Sequence, residues 1–516
     1  MEEQKIKKLR MVINENLRVQ RGGADPVPYI DVANVLSDIA ARQNHAVFGR
    51  RGCGKSLLLH YSAKNLPVTI KPIYLNCEDF KKHSFPNVLI EILDALFGEL
   101  EKHLTGWFGR KKRSRGLISE IRKELNGMRE KADRLEKDVR QSDTLAVADE
   151  QKGQLCFGLP GVASGLTESI QECEKREVEQ RFKVSDDKIR ELDTWLPRLK
   201  TQIREFFEIS TTVKAVFLQV DDFYHLRRAD QPLVIDYIHR LCKDLPLYFK
   251  LATLRHCSTL YADRKGQPIG AQERHDYQPI NIDFSLADFR RTVDQNRKIL
   301  REFGNLAGID GKEIDDLFKG AGFERLVLAG GGVPRDCLSL FLEVLVHVQH
   351  NPDNDRRIGK DDVRILSRAN FERRIEELKQ DSEGAEQGIL IKGIYVIRQF
   401  CIERKTNLIM VPESVLQQND SMRALLNRLL DYRIIHTAGT AITHKSQPGT
   451  YHAMAIDIGC YAHMRVLDKK FNEIDLSNAE AKERMRSAPI LDEKVLSSLW
   501  ASAPRDIDAA IKAQDD

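Results

Sequence analysis

The chain has 516 residues, of which 41% are hydrophobic and 31% charged, with a formal net charge of +4. That length holds roughly three ordinary domains, and the near-balance of charge excludes a polycation, so any nucleic-acid contact must come from a local patch. No run of about 18 apolar residues is present, which excludes a membrane-spanning helix, and the nine cysteines form no CxxC pair, so neither a zinc site nor a disulfide framework is readable.

The first ten residues, MEEQKIKKLR, lack the apolar core of a signal peptide, and a reduced, cytoplasmic protein is expected. Ile6, Leu9, Ile13 and Leu17 stand at helical spacing, which predicts an amphipathic helix over 1–20, followed by the Gly/Pro-rich link RGGADPVP. A second helix is expected near 31–42, then a strand at Ala46–Phe48 and another over 68–76, VTIKPIYLN. From about 101 to 209 charges crowd together. Ile118, Ile121, Leu125, Met128, Ala132, Leu135 and Val139 step by three and four, and so do Ile189, Leu192, Leu196, Leu199, Ile203 and Phe206. Both are heptad seams, which predicts two long helices packed antiparallel, with Pro197 kinking the second or delaying its start. Strands are expected again in AVFLQVDD at 215–222, LYFKLATLRH at 247–256 and YQPINIDF at 277–284. Their alternation with helices argues for a parallel α/β sheet. The pattern is helical from 285 to about 380. In the tail, MRALLNRLLDYRIIHTAG reads as a helix ending in a strand, and QPGTYHAMAIDIGCYAHM as a turn and a second strand.

The segment Gly49-Arg50-Arg51-Gly52-Cys53-Gly54-Lys55-Ser56 fits GxxxxGK[ST] without a gap, after an apolar strand and before the helical run that starts with Ser56 and Leu57. Glycines let the backbone wrap a phosphate with its N–H groups inward and a helix N-terminus behind. Lys55 is expected to reach the β- and γ-phosphates of ATP, and the Ser56 hydroxyl to ligate Mg2+. Asp221 ends a buried strand and suits the second magnesium position, directly or through water. Asp222 follows it, either polarising the attacking water or capping the next helix. Thr253 and Arg255 close the next strand, and strand C-termini of a parallel sheet face the ligand crevice. Arg335, in Gly330-Gly331-Gly332-Val333-Pro334-Arg335-Asp336, falls at a helix start, where a cation meets the wrong end of the helix dipole and an external anion would relieve it.

Together these pieces resemble the AAA+ superfamily, in particular the origin-recognition and archaeal initiator ATPases and the related STAND signalling ATPases. The resemblance covers about 25–100 and 210–350, and the tail more weakly. It implies a P-loop sheet with a helical lid, Walker A at GRRGCGKS, Walker B at VFLQVDD, sensor 1 at Thr253 or Arg255, sensor 2 at Arg335, and an adenine-contacting segment at Tyr29, Ile30 and Asp31. It also implies a homo-oligomer in which an arginine of one subunit meets the γ-phosphate of the next; Arg264 and Arg274 stand where that residue is expected, with Arg274 preferred. Many AAA+ enzymes have Asp-Glu where this chain has Asp221-Asp222, which points to slow, switch-like hydrolysis. The long helical insertion is standard in neither branch.

The expected division is an N-terminal helix over 1–24, a first core half over 25–100, the coiled-coil-like insertion over 101–209, a second core half over 210–284, the lid over 285–380, a winged-helix-like unit over 381–470 and a helical tail over 471–516. Arg110, Lys111, Lys112, Arg113 and Arg115 form a short basic run that can neutralise phosphates or simply be a solvated helix end. Two roles follow. One is an oligomeric ATPase acting on double-stranded DNA, as in bacterial antiphage defence. The other is a signalling ATPase that controls an effector or nuclease partner without touching DNA.

Overall fold

The computed structural model describes residues 3–17, 27–102, 112–129, 189–264, 266–350, 355–382, 384–462, 471–476, 478 and 480–514. The chain divides into two compact units: 34–49 with 58–281, and 1–33 with 50–57 and 282–516.

The chain opens on helix α1 (Glu3–Asn16), which buries Leu9 and Ile13 of the predicted stripe. The helix expected near 31–42 is only the single turn α2 (Leu36–Ile39). Asn34 adopts φ +56°, a left-handed conformation that cannot continue a helix, so none can start before it.

The unit that follows is built on a parallel sheet. Its strands are β1 (His45–Phe48), β2 (Ile70–Asn76), β3 (Ala215–Asp221), β4 (Leu247–Thr253) and β7 (Gln278–Asn281), in the order β2-β3-β4-β1-β7. All pairings are parallel. Every residue of β1 and β3 is buried, the signature of strands covered on both faces. Between β1 and β2 the chain forms α3 (Lys55–Lys64), and after β2 come a short 3-10 turn (Cys77–Phe80) and α4 (Asn87–Lys102). Helix α7 (Gln231–Cys242) joins β3 to β4, with Pro232 in its first turn. A hairpin with no period-2 signature in the sequence, β5 (Tyr261–Arg264) and β6 (Gln267–Gly270), precedes β7.

Helices α5 (112–129) and α6 (189–209) carry the two predicted seams. Glu124 pairs with Arg198 at 2.7 Å, Glu120 with Arg198 at 2.9 Å, and Arg113 with Glu205, so residue numbers rise on one helix as they fall on the other: the pair is antiparallel, as the seams imply. The seams are not satisfied by each other alone. Ile118, Ile121, Leu125, Leu196, Leu199, Ile203 and Phe206 share one buried cluster with Leu93, Phe97 and Leu100 of α4 and with Val216 and Leu247 of the sheet. Helix α6 runs through Pro197 without a break. Ala132, Leu135 and Val139, the Gly-bearing stretch between the seams, and Arg110 and Lys111 of the basic run lie outside the described residues. Of the rest of that run, Lys112 is exposed and Arg113 is paired.

The second unit continues from β7 with α8 (Phe289–Ala307), which packs against α1, where Lys5 also pairs with Glu313 at 2.9 Å. Gly308, at φ +77°, ends α8, and an Asp310/Glu313 capping box starts α9 (Gly311–Asp315). Helices α10 (Gly322–Ala329), α11 (Pro334–His350) and α12 (Lys360–Asp381) form a packed trio. The tail is α13 (Gly384–Glu403), β8 (Leu408–Pro412), α14 (Glu413–Gln418), α15 (Asp420–Asp431), β9 (Ile435–Thr443) and β10 (Thr450–Ile456). The expected two-stranded hairpin gains β8 to become an antiparallel sheet in the order β8-β10-β9. Beyond it, α16 (Ala481–Met485), α17 (Glu493–Ser502) and α18 (Ile507–Ala513) return to the same unit: Arg398 of α13, 1% exposed, donates to the carbonyls of Cys460 at 2.9 Å and Ile511 at 3.1 Å.

Among the described residues no helix is long and apolar enough to cross a membrane, and the seven described cysteines are free thiols.

Candidate functional site

Parallel register fixes one edge of the sheet. Phe48 lies opposite Thr253 and Asn281, and Asn76 opposite Asp221. The C-terminal ends of all five strands therefore lie along that edge, where open parallel sheets bind ligands. Chain connectivity puts the phosphate loop there too, since Gly49 follows β1 directly.

Asp221 is fully buried at the end of β3. One of its oxygens accepts from the Tyr74 hydroxyl at 2.6 Å and the other from the Asp222 N–H at 2.9 Å. Asp222 takes a left-handed conformation at φ +50° and makes no side-chain cap to the turn that follows, which removes the capping role its sequence position allows. Thr253 is fully buried, and its hydroxyl shares a hydrogen with Ser258. Arg255 pairs with Glu273 at 2.9 Å and lies 4.4 Å over the Phe48 ring. Arg274 is exposed in a tight turn at φ +67°, just before β7. Gln278 is opposite His45, so that turn lies at the end of the sheet where β1 and β7 begin. The side chain of Arg264 lies outside what is described.

The phosphate loop belongs to the other unit. Gly52 and Gly54 take φ +84° and +94°, conformations that cost a side-chain-bearing residue dearly. Lys55 is 5% exposed, and its Nζ donates to the Arg50 carbonyl across the loop at 3.3 Å. No described residue accepts from the N–H groups of Gly54 and Ser56, both at the start of α3, so they are available to an anion. Tyr29 stands over this turn: a Cβ on Gly54 would lie 3.8 Å from its ring. Burial raises the Tyr29 phenol above its usual pKa, so it stays neutral. Ile30 and Asp31 follow in the same segment without regular secondary structure.

Arg335 occupies the first turn of α11, as the GGVPRD reading expects. Its N–H donates to the Gly52 carbonyl at 3.3 Å, and a Cβ on Gly52 would fall 2.7 Å from Arg335 Cβ and 3.0 Å from its Nε. The guanidinium has no hydrogen bond or ion pair among the described residues.

Two side chains of the motif do something the sequence does not reveal. Arg50 turns away from the anion position. It grips Asp283 through Nε at 2.6 Å and Nη2 at 2.8 Å, and its own N–H also donates to Asp283 at 3.1 Å. Both the guanidinium and the amide of Arg50 are committed to Asp283 in this way. Arg51 pairs with Asp381 of α12 at 2.9 Å. Behind the loop, Arg433 donates to the Arg51 carbonyl at 3.2 Å and to both oxygens of Asp336 at 2.9 and 3.0 Å, and pairs with Glu377. Arg374 bridges Asp336, at 3.0 Å, and Asp457. Burial opposes ionisation of Asp336, but Arg433 and Arg374 hold its pKa below the ordinary value. His436 completes the network. Burial lowers its pKa to about 4, so the ring is neutral: Nδ1 accepts from Arg50 at 3.1 Å and Nε2–H donates to Asp457 at 2.9 Å. A Cβ on Gly331, itself at φ +59°, would fall 2.2 Å from His436 Cε1, which explains one glycine of the 330–332 run. These partners lie up to 386 residues apart in sequence. Only their residue types, arginines and acids in otherwise apolar surroundings, were a signal.

Among the described residues no three His, Cys, Asp or Glu side chains gather as a metal cage. A single oriented carboxylate and a helix-start hydroxyl suit Mg2+, which takes one or two protein oxygens and completes its shell with phosphate and water. Asp221 is a carboxylate oriented at both oxygens, and Ser56 carries a hydroxyl at a helix start.

No family model matches the chain, and no curated protein does. Among solved structures, the Walker-type ATPase PABY2304 of Pyrococcus abyssi aligns over 89% of this chain and 95% of its own, with 12% identity and a TM-score of 0.36. A likeness that low assigns neither fold nor activity, so the reading below rests on the residues.

Proposed function

We propose that the chain is a Mg2+-dependent P-loop ATPase that works as a nucleotide switch. The observation that carries this is Arg335 lying against Gly52 of the phosphate loop with its guanidinium uncommitted, beside a buried Lys55 and open N–H groups at a helix start. That is a cationic cradle for a polyphosphate. In this reading Lys55 and Arg335 take the β- and γ-phosphates. The backbone of Gly52, Cys53, Gly54 and Ser56 wraps them, Tyr29 and Ile30 flank the base, Ser56 and Asp221 serve Mg2+, and Asp222 orients the attacking water. Thr253 and Arg255 stand at the strand edge as sensors. Calorimetry of a non-hydrolysable ATP analogue tests it. Lys55→Ala should lose at least about 10-fold in affinity, since one charge-assisted contact is worth roughly 1.5–3 kcal/mol. Unchanged affinity would remove the assignment.

Of the two wider roles, control of a protein partner has the better support. The tail, helix–strand–helix–helix–hairpin in order, is winged-helix-like, and α15 stands where such a module would read DNA. Yet α15 shows solvent only Arg423, which is paired with Asp420, while Arg428 is 4% exposed and paired with Glu386. In the turn between β9 and β10, Lys445 is held by Glu483 at 2.9 Å. Duplex binding needs cations free to meet phosphates. Filter binding to duplex DNA at two salt concentrations should show no salt-sensitive, ATP-dependent retention; strong retention would restore the DNA role. Self-association with Arg274 acting in trans belongs to the same proposal: Arg274→Ala should keep ATP binding and lose turnover together with nucleotide-dependent assembly measured by light scattering.

A further inference from the structure

Tyr74 was singled out by nothing in the sequence. It is half-buried on a strand of mixed burial, and its contacts give it a specific place. Asp221 has Asn76 as its register partner on β2, and Tyr74 precedes Asn76 by two residues. Side chains two apart share a face of a strand, so the phenol reaches diagonally along the sheet and its hydroxyl meets Asp221 Oδ2 at 2.6 Å. The other oxygen is fixed by the Asp222 N–H at 2.9 Å. The carboxylate is thus held at both oxygens. On its other side the Tyr74 ring packs on the His60 ring, tilted by 32° with centroids 4.3 Å apart. His60 is on α3, four residues after Ser56, and residues four apart lie on one face of a helix. His60 of α3 is therefore linked to the carboxylate of β3 through one aromatic contact and one hydrogen bond.

We propose that Tyr74 is a positioning residue for the magnesium site: its hydroxyl aims the Asp221 carboxylate, and its ring, packed on His60, ties that aim to helix α3. This rests on the P-loop reading above. Groups that orient a metal's ligands typically contribute about 10–100-fold to metal affinity or activity, whereas a tyrosine that merely fills space would affect only folding when its hydroxyl is removed.

The test uses the full chain and Tyr74→Phe, which keeps the ring and its packing. A non-hydrolysable ATP analogue is titrated by calorimetry without metal and across a Mg2+ series. Metal-free affinity should stay within about 2-fold of the parent, while the Mg2+ needed for half of the metal-dependent gain should rise about 10-fold or more. A Tyr74→Phe protein with the parental Mg2+ midpoint would overturn the proposal. A parent that binds the analogue with no metal dependence, or not at all, would overturn the P-loop reading and the proposal with it. A second measurement does not depend on the variant folding: in the parent labelled with 13Cζ-tyrosine, the Tyr74 resonance should shift when Mg2+ is added to the analogue complex. A resonance that does not move would also overturn the proposal.

Discussion

Replacing Gly52 by alanine tests the phosphate loop at the point where two independent constraints meet. Gly52 has φ +84°, where an L-residue pays about 1–2 kcal/mol. A Cβ there would also sit 2.7 Å from Arg335 Cβ and 3.0 Å from Val333 Cγ1, and overpacking of that kind typically costs about 1–3 kcal/mol. The loop can relax to escape this strain, but binding a polyphosphate requires the strained shape, so the cost should appear mainly as lost affinity. The two terms together, about 2–5 kcal/mol, correspond to a loss of roughly 30-fold to several thousand-fold for an ATP analogue. Gly266→Ala is the control: that glycine has φ +83° and nothing within 4 Å of a Cβ, so it isolates the backbone cost at a site outside the loop. Adding Arg335→Gly to Gly52→Ala should relieve part of the crowding, and a double-mutant cycle by calorimetry would read that coupling. A Gly52→Ala protein that binds like the parent would refute the reasoning, because the loop would then not use this conformation to hold phosphate.

Three further outcomes are expected. Asp222→Asn should bind ATP normally and lose about 100-fold or more in phosphate release, the range for removing a positioned acid or base; parental turnover would leave Asp222 without a catalytic role. Phe206→Ala on α6 should destabilise the sheet-bearing unit by about 3–5 kcal/mol in denaturant unfolding, because Phe206 is 1% exposed in the cluster that includes Val216 and Leu247; a change confined to the helical hairpin would mean α5 and α6 fold apart from the core. Stability should fall as the pH drops from about 6.5 to about 4, because the unfolded chain takes up a proton that buried His436 refuses until about pH 4. The difference is worth up to about 3 kcal/mol, His436→Gln should flatten that part of the urea-midpoint profile, and a variant with the parental slope would refute it.

Contiguous patterns were legible and dispersed ones were not. The phosphate loop could be read because its geometry needs glycines, a lysine and a hydroxyl within eight residues. The strands β1, β3 and β4 could be read because burial on both faces leaves a largely apolar run, interrupted only by Gln219 within β3 and Lys250 within β4. The seams of α5 and α6 showed that one face of each helix is buried but not what buries it, since periodicity carries no information about the partner; α4 and the sheet supply it. Asn34 ended the helix expected near 31–42 through a backbone conformation that its own residue type permits but does not require. Tyr74 carried no signal, because a tyrosine in a strand is ordinarily a packing residue.

The pattern GxxxxGK[ST] leaves four positions open, and the structure shows how this chain uses them. Arg50 holds Asp283, just beyond the last strand of the sheet, and His436 of β9; Arg51 holds Asp381 at the end of α12. Cys53 is buried, and burial raises its thiol pKa well out of the reactive range. Two of the positions the motif leaves open, Arg50 and Arg51, therefore anchor the loop to segments more than 200 residues away. Asp336 makes the connection tighter, since it neighbours Arg335 and is gripped by Arg374 and Arg433. The start of α11 is thereby tied through Arg374 to α12 and through Arg433 to the residues just before β9. A sequence motif can specify that phosphate is bound; which parts of the chain feel the binding is decided by residues about which the motif is silent.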